Sequence, residues 1–289
     1  YENTVRAVSP VFPIFSGASL AVASANGAEV YEFTPEGKHV RTRQTVTGAT
    51  LYEFGYDGEG RLYSVTNADG NVTTIERDID GNPVAVHAPF GQVTDLAVDS
   101  NGYLASITDP AGSSHAFTYS NGGLMLSHMT PNGYPSTFDY DAEGRLIYDS
   151  GPAGGSLSLT RTETDTTLTV ETTTAMGRAA SYDIGGAAAG QTRTNTFPSG
   201  LAASMDLQND GTKSVTLASG VTVLTTQEPD PRFGMLAPMT TMVTTTPAGL
   251  QRTVIESRTV TLADDDDPLS LIALTETTFA IRLKPSAST

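Results

Sequence analysis

An all-β fold of tandem hairpins, each about 21 residues long, is what this sequence predicts, and three observations predict it. The phrase "YDGEGRL" at residues 56–62 returns as "YDAEGRL" at 140–146. Glycines recur on one ruler: Gly60, Gly81, Gly102, Gly123 and Gly144, interleaved with Gly70, Gly91, Gly112, Gly133 and Gly154. Between them apolar residues alternate with polar ones, which is the period of a strand and not of a helix. No stretch carries a convincing helical pattern.

Taken in order, the elements follow from that ruler. Residues 1–50 continue it loosely through Gly27, Gly37 and Gly48 and are expected to form degenerate N-terminal β repeats. Residues 51–160 hold the regular repeats. Asp stands three positions before four of the first-series glycines, at Asp57, Asp78, Asp99 and Asp141, and Ser120 fills the fifth place. Asp bonds its own backbone two residues on, and glycine accepts the positive φ that closes a tight turn. The second series ("NADG", "DPAG", "TPNG", "GPAG") marks another turn, with proline at an early position where its φ is already correct. Turns ten or eleven residues apart leave room for strands of about seven. Phe54 with Tyr56, Leu96 with Val98, Phe117 with Tyr119 and Phe138 with Tyr140 share a face on the way into the Asp turn. On the way out the second residue is Leu62, Pro83, Leu104, Met125 or Leu146. Pro83 is the misfit, because proline removes a ladder donor.

Residues 161–289 are expected to be threonine-rich degenerate β repeats and C-terminal strands. "LTRTETDTTLTVETTT" at 159–174 is polar on both faces and suits a single-layer sheet wetted on both sides, or an edge. "PDPRFGMLAP" at 229–238 carries three prolines and reads as an irregular connection. Strand-like stretches follow near 239–246, 251–262 and 271–283.

Composition bounds the function. Of 289 residues 38% are hydrophobic, with 28 glycines, 16 prolines and no tryptophan, which predicts a folded chain with a thin or distributed core. Sixteen basic against thirty-two acidic residues give a net charge of −16. Such a surface repels phosphate backbones and anionic lipid, so no nucleic acid is expected as a partner. "SLAVASA" at 19–25 is far shorter than the ~20 apolar residues that span a bilayer, and no membrane insertion is expected. The absence of cysteine excludes disulfides and thiolate chemistry. The chain begins at Tyr1 and reads as a processed or excised piece of something longer.

Candidate chemistry is sparse. His39, His87, His115 and His128 stand at none of the short spacings that local metal motifs use. His115 takes the ruler slot of Thr73, Thr94 and Ser136, and His87 that of Thr66, Thr108 and Ser150, so both read as polar strand residues. Asp57 and Asp141 with Arg61 and Arg145 read as turn bonds and surface ion pairs worth ~0.5 kcal/mol. Asp264 to Asp267 could hold Ca²⁺ but lack the ligand spacing and glycine of a calcium loop, and read as a solvated run. Tyr63, Tyr103 and Tyr148 could stack on sugars, although regular aromatics in a β repeat more often pack. No catalytic, cofactor-binding or metal residue is assigned, and no cofactor is expected.

The phrase Tyr-Asp-x-x-Gly-Arg-Leu, followed eight residues after its glycine by a turn such as "NADGN" or "GPAGG", resembles the YD repeat of the Rhs family. That family includes bacterial polymorphic toxins, the shell component of insecticidal toxin complexes, and the teneurins. Copies at 54–70 and 138–155 are close to the pattern, while Arg77, Val98 and Tyr119 stand at the tyrosine position of the intervening repeats. The resemblance implies a long sheet spiralling into a hollow shell, secreted or at a bacterial surface. It also implies partners: the remainder of a longer chain or an enclosed cargo. Family members with toxin cargo end the shell with a self-cleavage region containing a "DPxG" turn. Here "DPAG" at 109–112 lies in mid-repeat and reads as an ordinary turn. The expectation is therefore a non-enzymatic, wrapped antiparallel scaffold. The alternatives are a β-propeller for the fold, since two repeats make about one blade, and for the function a surface adhesin or glycan-binding module, or a glycan-cleaving enzyme. Glycans or cell-surface proteins would be the partners of an adhesin.

Overall fold

Tight turns closed by a positive-φ glycine are the local structure from which the molecule is built. In the computed structural model, which describes residues 20–187 and 190–283, all ten glycines of the two series have φ between 78° and 86°. Gly144 shows the geometry. Its N–H donates to the Asp141 carbonyl at 3.0 Å, and the Asp141 N–H donates to the Arg145 carbonyl at 2.9 Å. This is a three-residue hairpin loop ending in a left-handed residue. The second series closes the same way, as at Gly112, whose N–H donates to the Asp109 carbonyl at 2.9 Å. Both edges of the repeat therefore use one turn.

The turns separate twenty-three strands assigned to a single antiparallel sheet, with no helix among the described residues. One continuous sheet replaces the separate four-stranded blades that a propeller requires, so the propeller alternative falls. The first strands are β1 (Leu20–Ala23), β2 (Glu29–Phe33), β3 (His39–Gln44), β4 (Thr50–Tyr56) and β5 (Leu62–Asn67). The regular region continues with β6 (Val72–Arg77), β7 (Pro83–His87), β8 (Val93–Val98), β9 (Leu104–Thr108) and β10 (Ser114–Tyr119). It ends with β11 (Met125–Met129), β12 (Pro135–Tyr140) and β13 (Leu146–Ser150). Then come β14 (Ser156–Glu163), β15 (Thr167–Thr174), β16 (Ala179–Ala187), β17 (Gly190–Thr196), β18 (Ala202–Gln208) and β19 (Lys213–Thr216). The last strands are β20 (Thr222–Asp230), β21 (Gly234–Thr245), β22 (Gln251–Leu262) and β23 (Leu271–Leu283). Residues 1–19 of the N-terminal segment lie outside the described residues.

The chain divides into two compact units. Among the described residues, one comprises 20–60, Val65–Asn71 and 225–283; the other comprises Arg61–Ser64 and Val72–Leu224. In the second unit, β6 to β19 pair each with the next in register. Burial alternates cleanly along β10 and β12, exposed then half-buried. The half-buried face carries Phe117, Tyr119, Phe138 and Tyr140. The exposed face carries hydroxyls that pair across strands: Thr118 with Ser127 at 2.6 Å and Thr137 with Ser150 at 2.7 Å. Ala85 is this unit's only apolar residue counted as core among the described residues. The thin core expected from composition is thus a single layer, dry on neither side.

A bulge accompanies every first-series turn in this unit. On leaving the turn, one residue has no partner opposite it: Val84, Ala105, Leu126 and Ile147, spaced like the glycines. The second-series hairpins β7–β8, β9–β10, β11–β12 and β13–β14 have none. The bulge lies in the shorter, ten-residue interval, and one such extra residue per 21-residue period reconciles an odd repeat with the two-residue alternation of a strand, so that side chains on both sides of it return to the same face. It also accommodates Pro83, the first residue of its strand and adjacent to the bulge, where a missing N–H costs little.

The other unit holds a small true core of Ala21, Ala23, Val30, Phe233 and Ala237, with Leu269 packed against it. The segment 229–238 differs from the irregular connection its prolines suggest. Pro229 ends in β20 and Pro238 in β21, with only residues 231–233 turning between them. Phe233 at the turn is 1% exposed, and its burial fixes the reversal.

Candidate functional site

Two places concentrate side-chain chemistry: the repeated phrase and the turn at 230–233. In the phrase each residue has a task. Tyr140 donates its hydroxyl to the Met125 carbonyl at 2.7 Å, and Tyr56 does the same to the His39 carbonyl at 2.8 Å, so each tyrosine ties its hairpin to the preceding one. Asp141 accepts from the N–H groups of Glu143 at 3.0 Å and Arg145 at 2.9 Å. The Arg145 guanidinium returns to Asp141 at 2.7 Å. The Arg145 backbone N–H foremost, with its guanidinium adding, holds the Asp141 carboxyl below its usual value near 3.8. Asp78 is lowered likewise, chiefly by the Asn82 amide. Ser120 keeps the turn with its hydroxyl, which accepts from Leu124 N–H at 3.1 Å.

The histidines lie in three environments. His39 packs between Phe33 and Phe54, with ring centroids 5.0 and 4.3 Å away, and Tyr31 meets its edge. His87 pairs with Glu76 at 2.7 Å across the exposed face. His115 and His128, thirteen residues apart, meet across β10–β11, Nδ1 to Nε2 at 2.8 Å, and His128 lies over Phe117. Ring spacing in sequence gives no hint of that pair, because only strand register creates it. Asp264 and Asp267 accept from backbone N–H groups of Asp266 and Leu269. Among the described residues no three His, Cys, Asp or Glu side chains come together in a group able to hold a metal ion. Tyr63 is exposed, while Tyr103 is half-buried against Tyr119 at 5.3 Å and Tyr148 lies half-buried in β13.

The second place has no local sequence signal. Asp230, fully buried, accepts from the N–H groups of Arg232 at 2.7 Å and Phe233 at 3.0 Å. Arg258, from β22, reaches the other Asp230 oxygen at 2.9 Å, the Ala237 carbonyl at 3.2 Å and Glu276 at 2.9 Å. Arg232 is buried beneath, its guanidinium 4.7 Å from the Phe233 ring centroid. Burial pushes the Arg232 pKa down; the Asp230 charge opposes this and Arg258 adds to it. Thr45 seats the first hairpin turn over the group by donating to the Gly27 carbonyl at 2.7 Å. Gly27 itself has φ +68°, and a Cβ there would stand 3.3 Å from Ala237. Charges 28 and 46 residues apart are thus brought under one turn. The arrangement clamps chain to chain, and the Asp-Pro bond's carboxylate is engaged in backbone hydrogen bonds.

Residues 17–283 match the family model described as Teneurin YD-shell. No curated protein matches the chain. Among solved structures, the crystal structure of TcdB2-TccC3-TEV shares 12% identity over 76% of this chain and 16% of that chain, with a TM-score of 0.36. The structure of the Photorhabdus luminescens Tc holotoxin pore shares 12% identity over 82% of this chain and 20% of that chain, with a TM-score of 0.29. The chain therefore spans a fifth or less of the length of these structures.

Proposed function

The chain belongs to the teneurin YD-shell family, and from that membership we propose that it is a non-enzymatic structural segment of a β-shell, enclosing or displaying a partner or cargo outside the cell. The single observation that carries this reading is the family match across residues 17–283. The geometry is consistent with a wall. The recurring side chains of the repeat serve turns, ladders and strand ties: the Tyr140 hydroxyl, the Asp141 carboxylate and the Thr–Ser pairs all have structural partners. The unlike faces of β10 and β12, one aromatic and half-buried and one polar and exposed, suit a sheet whose two sides meet different surroundings. The partner is the remainder of a longer chain or a cargo held by it.

The rival reading, a glycan-binding surface, draws on exposed aromatics such as Phe90 at 78% and Tyr134 at 58%. A glycan array run beside a polysaccharide hydrolysis assay separates the readings. The structural role predicts no saturable glycan binding and no turnover. Specific binding lost on Tyr134→Ala would replace it with the adhesin, and turnover would replace it with an enzyme.

A further inference from the structure

The clamp at 230–233 leaves one charge unaccounted for. The Arg232 side chain is 1% exposed, yet its Nε and Nη1 have no hydrogen-bond partner among the described residues. Its nearest carboxylate oxygen, on Asp230, is 3.9 Å from Nε and already accepts two backbone N–H groups. Its Nη2 reaches only the Gly27 carbonyl, at 3.5 Å. Within the buried envelope two guanidiniums, Arg232 and Arg258, face one carboxylate, because Glu276 is 56% exposed. A buried cation without partners is costly, and such a group calls for a bound ion or water. Beside it lies a cavity of about 250 Å³ lined by Arg232, Arg258, Asn26, Gln44, Thr45 and Glu276 among others. That space admits a polyatomic anion, which, unlike water, also supplies negative charge to the pair.

We propose that this cavity binds a small oxyanion, held by the positive charge of the Arg232 and Arg258 guanidiniums in its lining. Guanidinium is the side chain best matched to such oxygens. The occupant is either a free ion of the phosphate type or the carboxylate of a polypeptide side chain. Neither source depends on the shell reading. Seated there, the anion would neutralise the clamp and stabilise the unit that Gly27, Phe233 and Arg258 hold together, in proportion to its saturation.

The test is titration of the full chain at constant ionic strength, by calorimetry and thermal unfolding. Inorganic phosphate probes the free ion and N-acetyl-aspartate amide probes the side-chain carboxylate. A saturable rise in melting temperature with at least one probe, lost in Arg232→Met, is expected, and the stronger response names the source. No saturable response to either probe, or one that Arg232→Met retains, overturns the proposal. Glu276→Gln, at the rim, guards against a misfolded Arg232 variant. Removing its negative charge should tighten binding roughly threefold, the scale of an exposed pair, and an affinity no tighter than wild type would overturn the proposal as well.

Discussion

At the scale of single residues, the repeated phrase is a set of backbone instructions. Gly144 sits at φ +80° with only the Leu124 side chain near a would-be Cβ, at 3.5 Å. A substitution there suffers from backbone conformation and not from crowding. Gly144→Val should therefore cost about 1–3 kcal/mol, whereas Asp141→Asn keeps an acceptor for the Glu143 and Arg145 N–H groups and should cost far less. Equal, negligible losses on urea unfolding would contradict this. Turn aspartates also set an acid limit. Because Asp78 and Asp141 have lowered folded pKa values, their stabilisation is complete above about 3.8 and fades as pH falls through the folded values. Asp78→Asn/Asp141→Asn should lose melting temperature less steeply than wild type below about pH 4. Parallel curves would show that these carboxylates are not the titrating groups. Such residues were legible in the sequence because Asp and Gly act on their own neighbours. The buried clamp was not. Asp230, Arg258 and Glu276 meet only through the pairing of distant strands, and the three prolines at 229–238 conceal a segment that is mostly strand.

At the scale of elements, alternation of apolar and polar residues predicted the strands, and the odd 21-residue period held a clue to the bulges. An extra residue at Val84, Ala105, Leu126 and Ile147 has no side-chain signature, only a change of parity. Within β6–β13 the bulges are confined to one set of turns and raise local twist there. The repeat should therefore tolerate whole-period changes and reject fractional ones. Removing residues 103–123 joins Gly102 to Leu124 and preserves both turn series and both faces. Removing Thr137 alone forces part of β12 to present its aromatic side chains on the hydroxyl face. The whole-period deletion should unfold cooperatively within a few degrees of wild type. The single deletion should cost on the order of 2 kcal/mol, a displaced Phe138 side chain. The reverse order in thermal unfolding would contradict the bulge-compensated register.

At the scale of the whole molecule, length and charge set the frame and the family match names it. With a few fully buried side chains and twenty-three strands among its described residues, the chain is held by ladders and turns more than by a core. Its long sheet is suited to being a boundary. The measurement that bears most directly on this account is an electron-microscopy reconstruction of the natural protein that contains this chain, supported by solution scattering. The account predicts that residues 17–283 trace part of the curved wall of a hollow body. A solid body with no enclosed volume, or strands grouped as separate blades of a disc, would contradict it.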